Sequence, residues 1–152
     1  MEGDLVGELT RQGRALLASY PWLRHSWEDT AGGGVRLTLP RTDADGFEVS
    51  LEAQAAGLIV SGVGFHTHFD WYATAGEAVR QALGLVRDLL SPGMRVRELR
   101  ASGRPYRWEL QRFDGGEWRT QEVTGLLFWN YFGARSQRIY QNMMLPPRGS
   151  PA

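Results

Sequence analysis

The chain has 152 residues, 42% apolar and 22% charged, the size and balance of one ordinary globular domain. Seventeen acidic residues match seventeen arginines, with no lysine, so no net field draws in nucleic acid or an anionic membrane. The absence of cysteine excludes disulfides, thiolate metal sites and a cysteine nucleophile.

The charge is unevenly spread. Residues 1–93 hold 12 acids and 7 arginines, whereas residues 94–152 hold 5 acids and 10 arginines. The start, "MEGDLVGELT", lacks the basic and apolar regions of a signal peptide, and no apolar run approaches the roughly 18 residues of a membrane span. These features give the expectation of a cytoplasmic protein with no membrane partner.

In chain order, "DLVGELTRQGRALLASY" (4–20) places Leu5, Leu9, Leu16 and Tyr20 on one helical face, with Val6 and Leu17 beside them. Asp4 is positioned to cap this helix and Pro21 to follow it, while Gly7 and Gly13 each weaken it by about 1 kcal/mol relative to Ala. Beyond Pro21 the period shortens. "LRHSWED", "VRLTLP", "FEVSLEA" and "LIVSGVGFHTHF" are strand-like runs separated by "TAGGG", "RTDADG" and "QAAG", which is turn chemistry. "DADG" lacks the ligand spacing and final glutamate of a calcium loop and reads as a turn.

A second helix is predicted over about 75–90 of "TAGEAVRQALGLVRDLL". Thr74 and Glu77 have capping-box spacing, an apolar stripe runs from Ala75 to Leu90, and Ser91-Pro92-Gly93 stops it. Five strand-like runs follow: "MRVRELRA", "PYRWELQRF", "EWRTQEV", "GLLFWNYF" and "RSQRIYQNM". Alternation in "YRWELQ" puts Tyr106, Trp108 and Leu110 on a core face and Arg107, Glu109 and Gln111 outward, with Trp108 largely buried. "GLLFWNYF" is apolar on both faces, which suits core packing first and a homodimer or partner surface second.

The predicted fold class is therefore α+β: a two-layer domain over residues 1–145, with a curved antiparallel sheet of eight or nine strands and both helices packed on it. Residues 146–152, "PPRGSPA", read as a flexible tail.

One stretch has the residue types of a chemical site. In "GFHTHFDWY" an extended strand puts Val60, Gly62, Gly64, His66, His68 and Asp70 on one side, and Ile59, Val63, Phe65, Phe69 and Trp71 on the core side. Two imidazoles and a carboxylate on one face are compatible with a metal. His-x-His followed by Asp resembles the first metal-binding strand of the amidohydrolase superfamily. That superfamily uses a far longer β/α barrel with further ligands, and the only other histidine here is His25. The preferred reading makes His66, His68, Asp70, Trp71 and Tyr72 a recognition surface, with no catalytic residue, metal or cofactor assigned. Arginines interleaved with Tyr106, Trp108 and Trp118 are the residue types that bind single-stranded nucleic acid, but no nucleic-acid fold motif accompanies them.

Residues 58–110, through "LIVSGVGFHTHFDWY", the capped helix and "LLSPGMRVRELRASGRPYRWEL", resemble small standalone bacterial proteins of uncharacterised families. Some of these are immunity proteins of polymorphic toxin systems. The resemblance implies a non-enzymatic protein that binds a protein partner. The alternative is a small metal-dependent hydrolase using His66, His68 and Asp70.

Overall fold

The computed structural model describes residues 3–126 and 132–149. Among them are two helices and nine strands: α1 (Leu5–Ala18), β1 (Ser26–Thr30), β2 (Gly34–Leu39), β3 (Val49–Gln54), β4 (Gly57–Gly62), β5 (Phe65–His68), α2 (Ala75–Leu89), β6 (Met94–Ala101), β7 (Arg104–Asp114), β8 (Glu117–Gly125) and β9 (Arg135–Tyr140). Most of "GLLFWNYF" lies outside the described residues, and so does the expectation attached to it.

The α+β class and the antiparallel pairing agree with the sequence reading, but the single curved sheet must be corrected. The strands form two sheets, ordered β1-β2-β3-β4-β5 and β8-β7-β6-β9. Short turns join β1 to β2, β3 to β4 and β4 to β5, and residues 40–48 connect β2 to β3, whereas β5 and β6 are separated by a 15-residue helix. The helix ends the run of consecutive antiparallel pairing, and β6 pairs with β7 and β9 instead. The chain divides into two compact units: residues 1–41, 48–62 and 66–87, and residues 42–47, 63–65 and 88–152.

In the first unit, alternation sorts the side chains. The cross-strand pairs Leu37↔Leu51, Leu39↔Val49, Leu51↔Val60 and Ala53↔Leu58 are buried on one face. α1 lies against β2 and β3 and contributes buried Leu5, Leu9 and Leu17. Each fully buried leucine stabilises the fold by roughly 1.5–3 kcal/mol. Asp4 caps α1, accepting from the Gly7 amide at 3.0 Å. Gly13 is more than a weak point in this helix: a Cβ there would sit 2.8 Å from the Trp27 ring, so the glycine admits the indole.

The other face of this sheet is polar. Arg36 donates to Glu52 through Nε and Nη2 at 2.8 and 2.6 Å, and to Glu28 through Nη1 at 3.0 Å. The bonds from Arg36 hold the Glu52 carboxyl below its ordinary range, and Glu52 in turn raises Arg36.

The stretch 58–69 departs from the expected single strand. A turn at Val63-Gly64 splits it into β4 and β5, and the buried phase changes across that turn. Leu58 and Val60 are buried in β4 while Ile59 turns outward; after the turn, Phe65 and Phe69 are buried. Val60 therefore does not share a face with the histidines. The reason is geometric: partners across a two-residue turn have residue numbers of opposite parity, as in the bond from the Phe69 amide to the Leu58 carbonyl at 3.0 Å.

α2 begins as predicted, the Glu77 amide donating to Thr74 Oγ1 at 3.3 Å, and its whole stripe from Ala75 to Leu90 is buried. In the second unit, Val96 and Leu110 face each other across β6 and β7 and are buried with Met94, Leu89, Leu90 and Leu145. Phe47 and Phe65 meet edge to face at 6.3 Å. Asn142, fully buried, accepts from the Phe47 amide and donates to the Phe47 and Leu89 carbonyls. Arg148, in the expected tail, reaches Asp88 at 2.7 Å.

Trp108 is half-buried, less covered than the sequence suggests. Its indole rests on the backbone of Gly64, where a Cβ would overlap Trp108 Cγ. Gly64 also has φ +69°, the left-handed region. Gly64→Ala is expected to cost about 2–4 kcal/mol in urea unfolding, because strain and overlap add. Gly103 has φ +76° but open space where a Cβ would go, so Gly103→Ala should cost only about 1 kcal/mol.

A pH prediction follows from Glu52. A depressed folded pKa adds stability above the unfolded value, near 4.3, and that stability disappears as pH falls through the folded value. The stability gap between wild type and Glu52→Gln should therefore be full at pH 7 and shrink below about pH 4 in unfolding titrations.

Candidate functional site

β5 and the segment leading into α2 place the five residues singled out in the sequence. Buried Phe65 and Phe69 fix the backbone, so His66, His68 and Asp70 project outward and are exposed. The two imidazole rings lie 5.4 Å apart at 81°, edge to face. His68 Nδ1 is 3.7 Å from Asp70 Oδ2, longer than a hydrogen bond and within ion-pair range if His68 is protonated. The Asp70 carboxylate leans over Gly57, where a Cβ would overlap Oδ1. With Gln54, Ala56, Gly57 and Ile59, His68 and Asp70 line a cleft of 210 Å³.

Beside them runs an aromatic ridge. Trp71 and Tyr72 stack on Phe69 at 6.0 and 6.2 Å, with near-parallel planes, and Trp71 lies 5.8 Å from Tyr72. Phe69 is buried at 6% exposure while Trp71 is 67% exposed. A buried ring thus supports an exposed one, which limits the rotamer freedom that Trp71 would lose on binding. His66, His68 and Asp70 form one group on the outward face of β5 and its exit, and Trp71 and Tyr72 form a second group on Phe69. Among the described residues no group of three or more His, Asp or Glu side chains is placed to hold a metal ion.

The arginine-rich strands are arranged differently from the sequence reading. Glu109 and Gln111, expected outward, are 4% and 5% exposed. They do stand on the face opposite Trp108, but long arginine stems cover that face. Arg97 donates to Glu109 through Nε at 2.8 Å and Nη2 at 2.5 Å, and Arg107 approaches it at 3.0 Å. Arg95 donates to Gln111 at 2.8 Å and lies 4.1 Å above the Trp118 ring. Burial, followed by Arg97 nearby, lowers the Arg95 pKa. Phe113, 51% exposed, packs beside Trp118 at 5.2 Å. Alternation decides which face a residue occupies; it does not say what else lies over that face.

Sequence reasoning missed two further features. One is the buried carboxylate Glu98, which accepts from Trp108 Nε1 at 2.9 Å, Arg100 Nε at 2.5 Å and the Tyr140 hydroxyl at 3.4 Å. The other is a groove between α1 and α2, whose lining residues recur at helical spacing on each helix. The recurrence of Arg80, Leu83, Gly84 and Arg87 was the available signal.

No family model, no curated protein and no solved structure matches the chain.

Exposed histidines do not hold the fold together. The double variant His66→Ala, His68→Ala is expected to unfold within about 0.5 kcal/mol of wild type, whereas Phe69→Ala should lose about 3–5 kcal/mol. Chemical denaturation of the three proteins checks both values.

Proposed function

We propose that this chain is a non-enzymatic binding protein of the immunity type, acting in the cytoplasm on a protein partner that docks against Trp71, Tyr72, His66, His68 and Asp70. The observation that carries the reading is the 67% exposed Trp71 stacked on buried Phe69. Large aromatic rings supported from beneath are the residues that dominate protein interfaces when a partner covers them. The neighbouring imidazoles and carboxylate supply hydrogen-bond donors and acceptors at the rim, where they select a partner more than they add affinity.

A captured partner should be retained by wild-type protein, and Trp71→Ala should weaken it about 30-fold or more, the effect of losing a 2 kcal/mol hot spot. Equal affinity of wild type and Trp71→Ala for that partner would move the interface elsewhere.

The second reading, a metal-dependent hydrolase, is favoured by one observation: His66, His68 and Asp70 share an open surface, with His68 and Asp70 3.7 Å apart. Elemental analysis of protein purified without chelator separates the two. Stoichiometric zinc, iron or manganese, lost in the His66→Ala, His68→Ala variant, selects the hydrolase.

A further inference from the structure

The groove between α1 and α2 has a volume of 420 Å³ and is lined by Arg11, Gln12, Ala15, Leu16 and Ser19 from α1, and by Arg80, Leu83, Gly84 and Arg87 from α2. That volume lies in the range of small-molecule sites. Residues 11, 15 and 19 form one ridge of α1, and residues 80, 84 and 87 one ridge of α2, so both helices turn their arginines to the same trough. Ala15 and Gly84 project little or nothing into it, leaving Leu16 and Leu83 as apolar walls. Glycine inside a helix weakens it, and here its lack of a side chain leaves the trough open.

The three arginines differ in what already holds them. Arg11 is paired with Glu8 at 2.7 Å. Arg87 donates from Nε to the Tyr20 hydroxyl at 3.3 Å, but its Nη1 is shielded from water and has no hydrogen-bond partner. Arg80 is exposed and makes no ion pair among the described residues. Arg87 is half-buried and Arg80 is exposed, and both line the trough. A planar carboxylate is the acceptor that matches a guanidinium fork, and a second cation one helical ridge away adds attraction.

We infer that the α1–α2 groove binds a small organic carboxylate with an aliphatic body, its head group held by Arg87 and Arg80 and its chain lying between Leu16 and Leu83. The aliphatic body is required by the walls: an inorganic anion would satisfy the arginines and leave the apolar surface wet. This site is independent of the protein-binding surface proposed around Trp71.

Octanoate is the probe, titrated into the full chain with amide chemical shifts and calorimetry as readouts. Saturable binding is expected, with shifts confined to residues 11–20 and 80–87. Binding should weaken at least tenfold in Arg80→Gln, which removes no existing ion pair, and more in Arg87→Gln. Octanol and sulfate, each lacking half of the recognised chemistry, should bind at least tenfold more weakly, and raising salt should weaken octanoate binding. Unfolding midpoints confirm that each variant is folded; if Arg87→Gln is not, Arg80→Gln alone decides. Absence of saturable binding, equal affinity for octanol or sulfate, or an affinity unchanged in Arg80→Gln would overturn the assignment.

Discussion

A carboxylate withdrawn from water must be met by donors, and residues 88–149 contain three such groups. Glu98, Glu109 and Asp88 are each about 5% exposed, and each is met by arginine. Glu98 is the central one, since its partners come from β6, β7 and β9. Its bond to the Trp108 indole fixes the ring that rests on Gly64. Asp88 accepts from Arg112 and Arg148 in the same way, and Asn142 saturates the backbone between Phe47 and Leu89. Removing one member of such a set leaves the remaining charge buried without its partner, which is strongly destabilising.

The first unit follows a different rule. Its polar groups stay on the open face of the sheet, where Arg36 bridges Glu28 and Glu52, and its stability comes from aliphatic pairs stacked under α1. Phase is the governing constraint there. Because Phe65 and Phe69 must go inward, His66 and His68 have no alternative but the open face, and the chain then delivers Trp71 onto the back of Phe69.

The two surfaces proposed as binding sites, both in the first unit, differ in kind. Around Trp71 an aromatic ring stands out from its support, flanked by groups that both donate and accept. Between α1 and α2 the surface is recessed, and its polar groups are cations only, apart from Gln12 and Ser19. A protruding aromatic suits a protein surface; a recess with guanidinium groups suits a small anion.

Local signals are sufficient for much of this. Asp4 and Thr74 mark helix starts because a side-chain oxygen satisfies an amide three residues on, and the stripe from Ala75 to Leu90 marks a buried face because helical spacing brings those residues together. Alternation likewise places Phe65 and Phe69 inside and the histidines outside. What the sequence does not determine depends on partners distant along the chain. Alternation cannot tell a β4–β5 hairpin from one long strand when glycines permit both, so it assigns Val60 to the wrong face. Nor can it reveal that Arg97 and Arg107 close over Glu109, or that Trp108 sits against Gly64, 44 positions earlier. The division into two sheets is decided the same way, by β6 finding β7 and β9 as neighbours. A one-dimensional pattern records which side of an element is apolar; only the folded chain brings up the second surface that covers it.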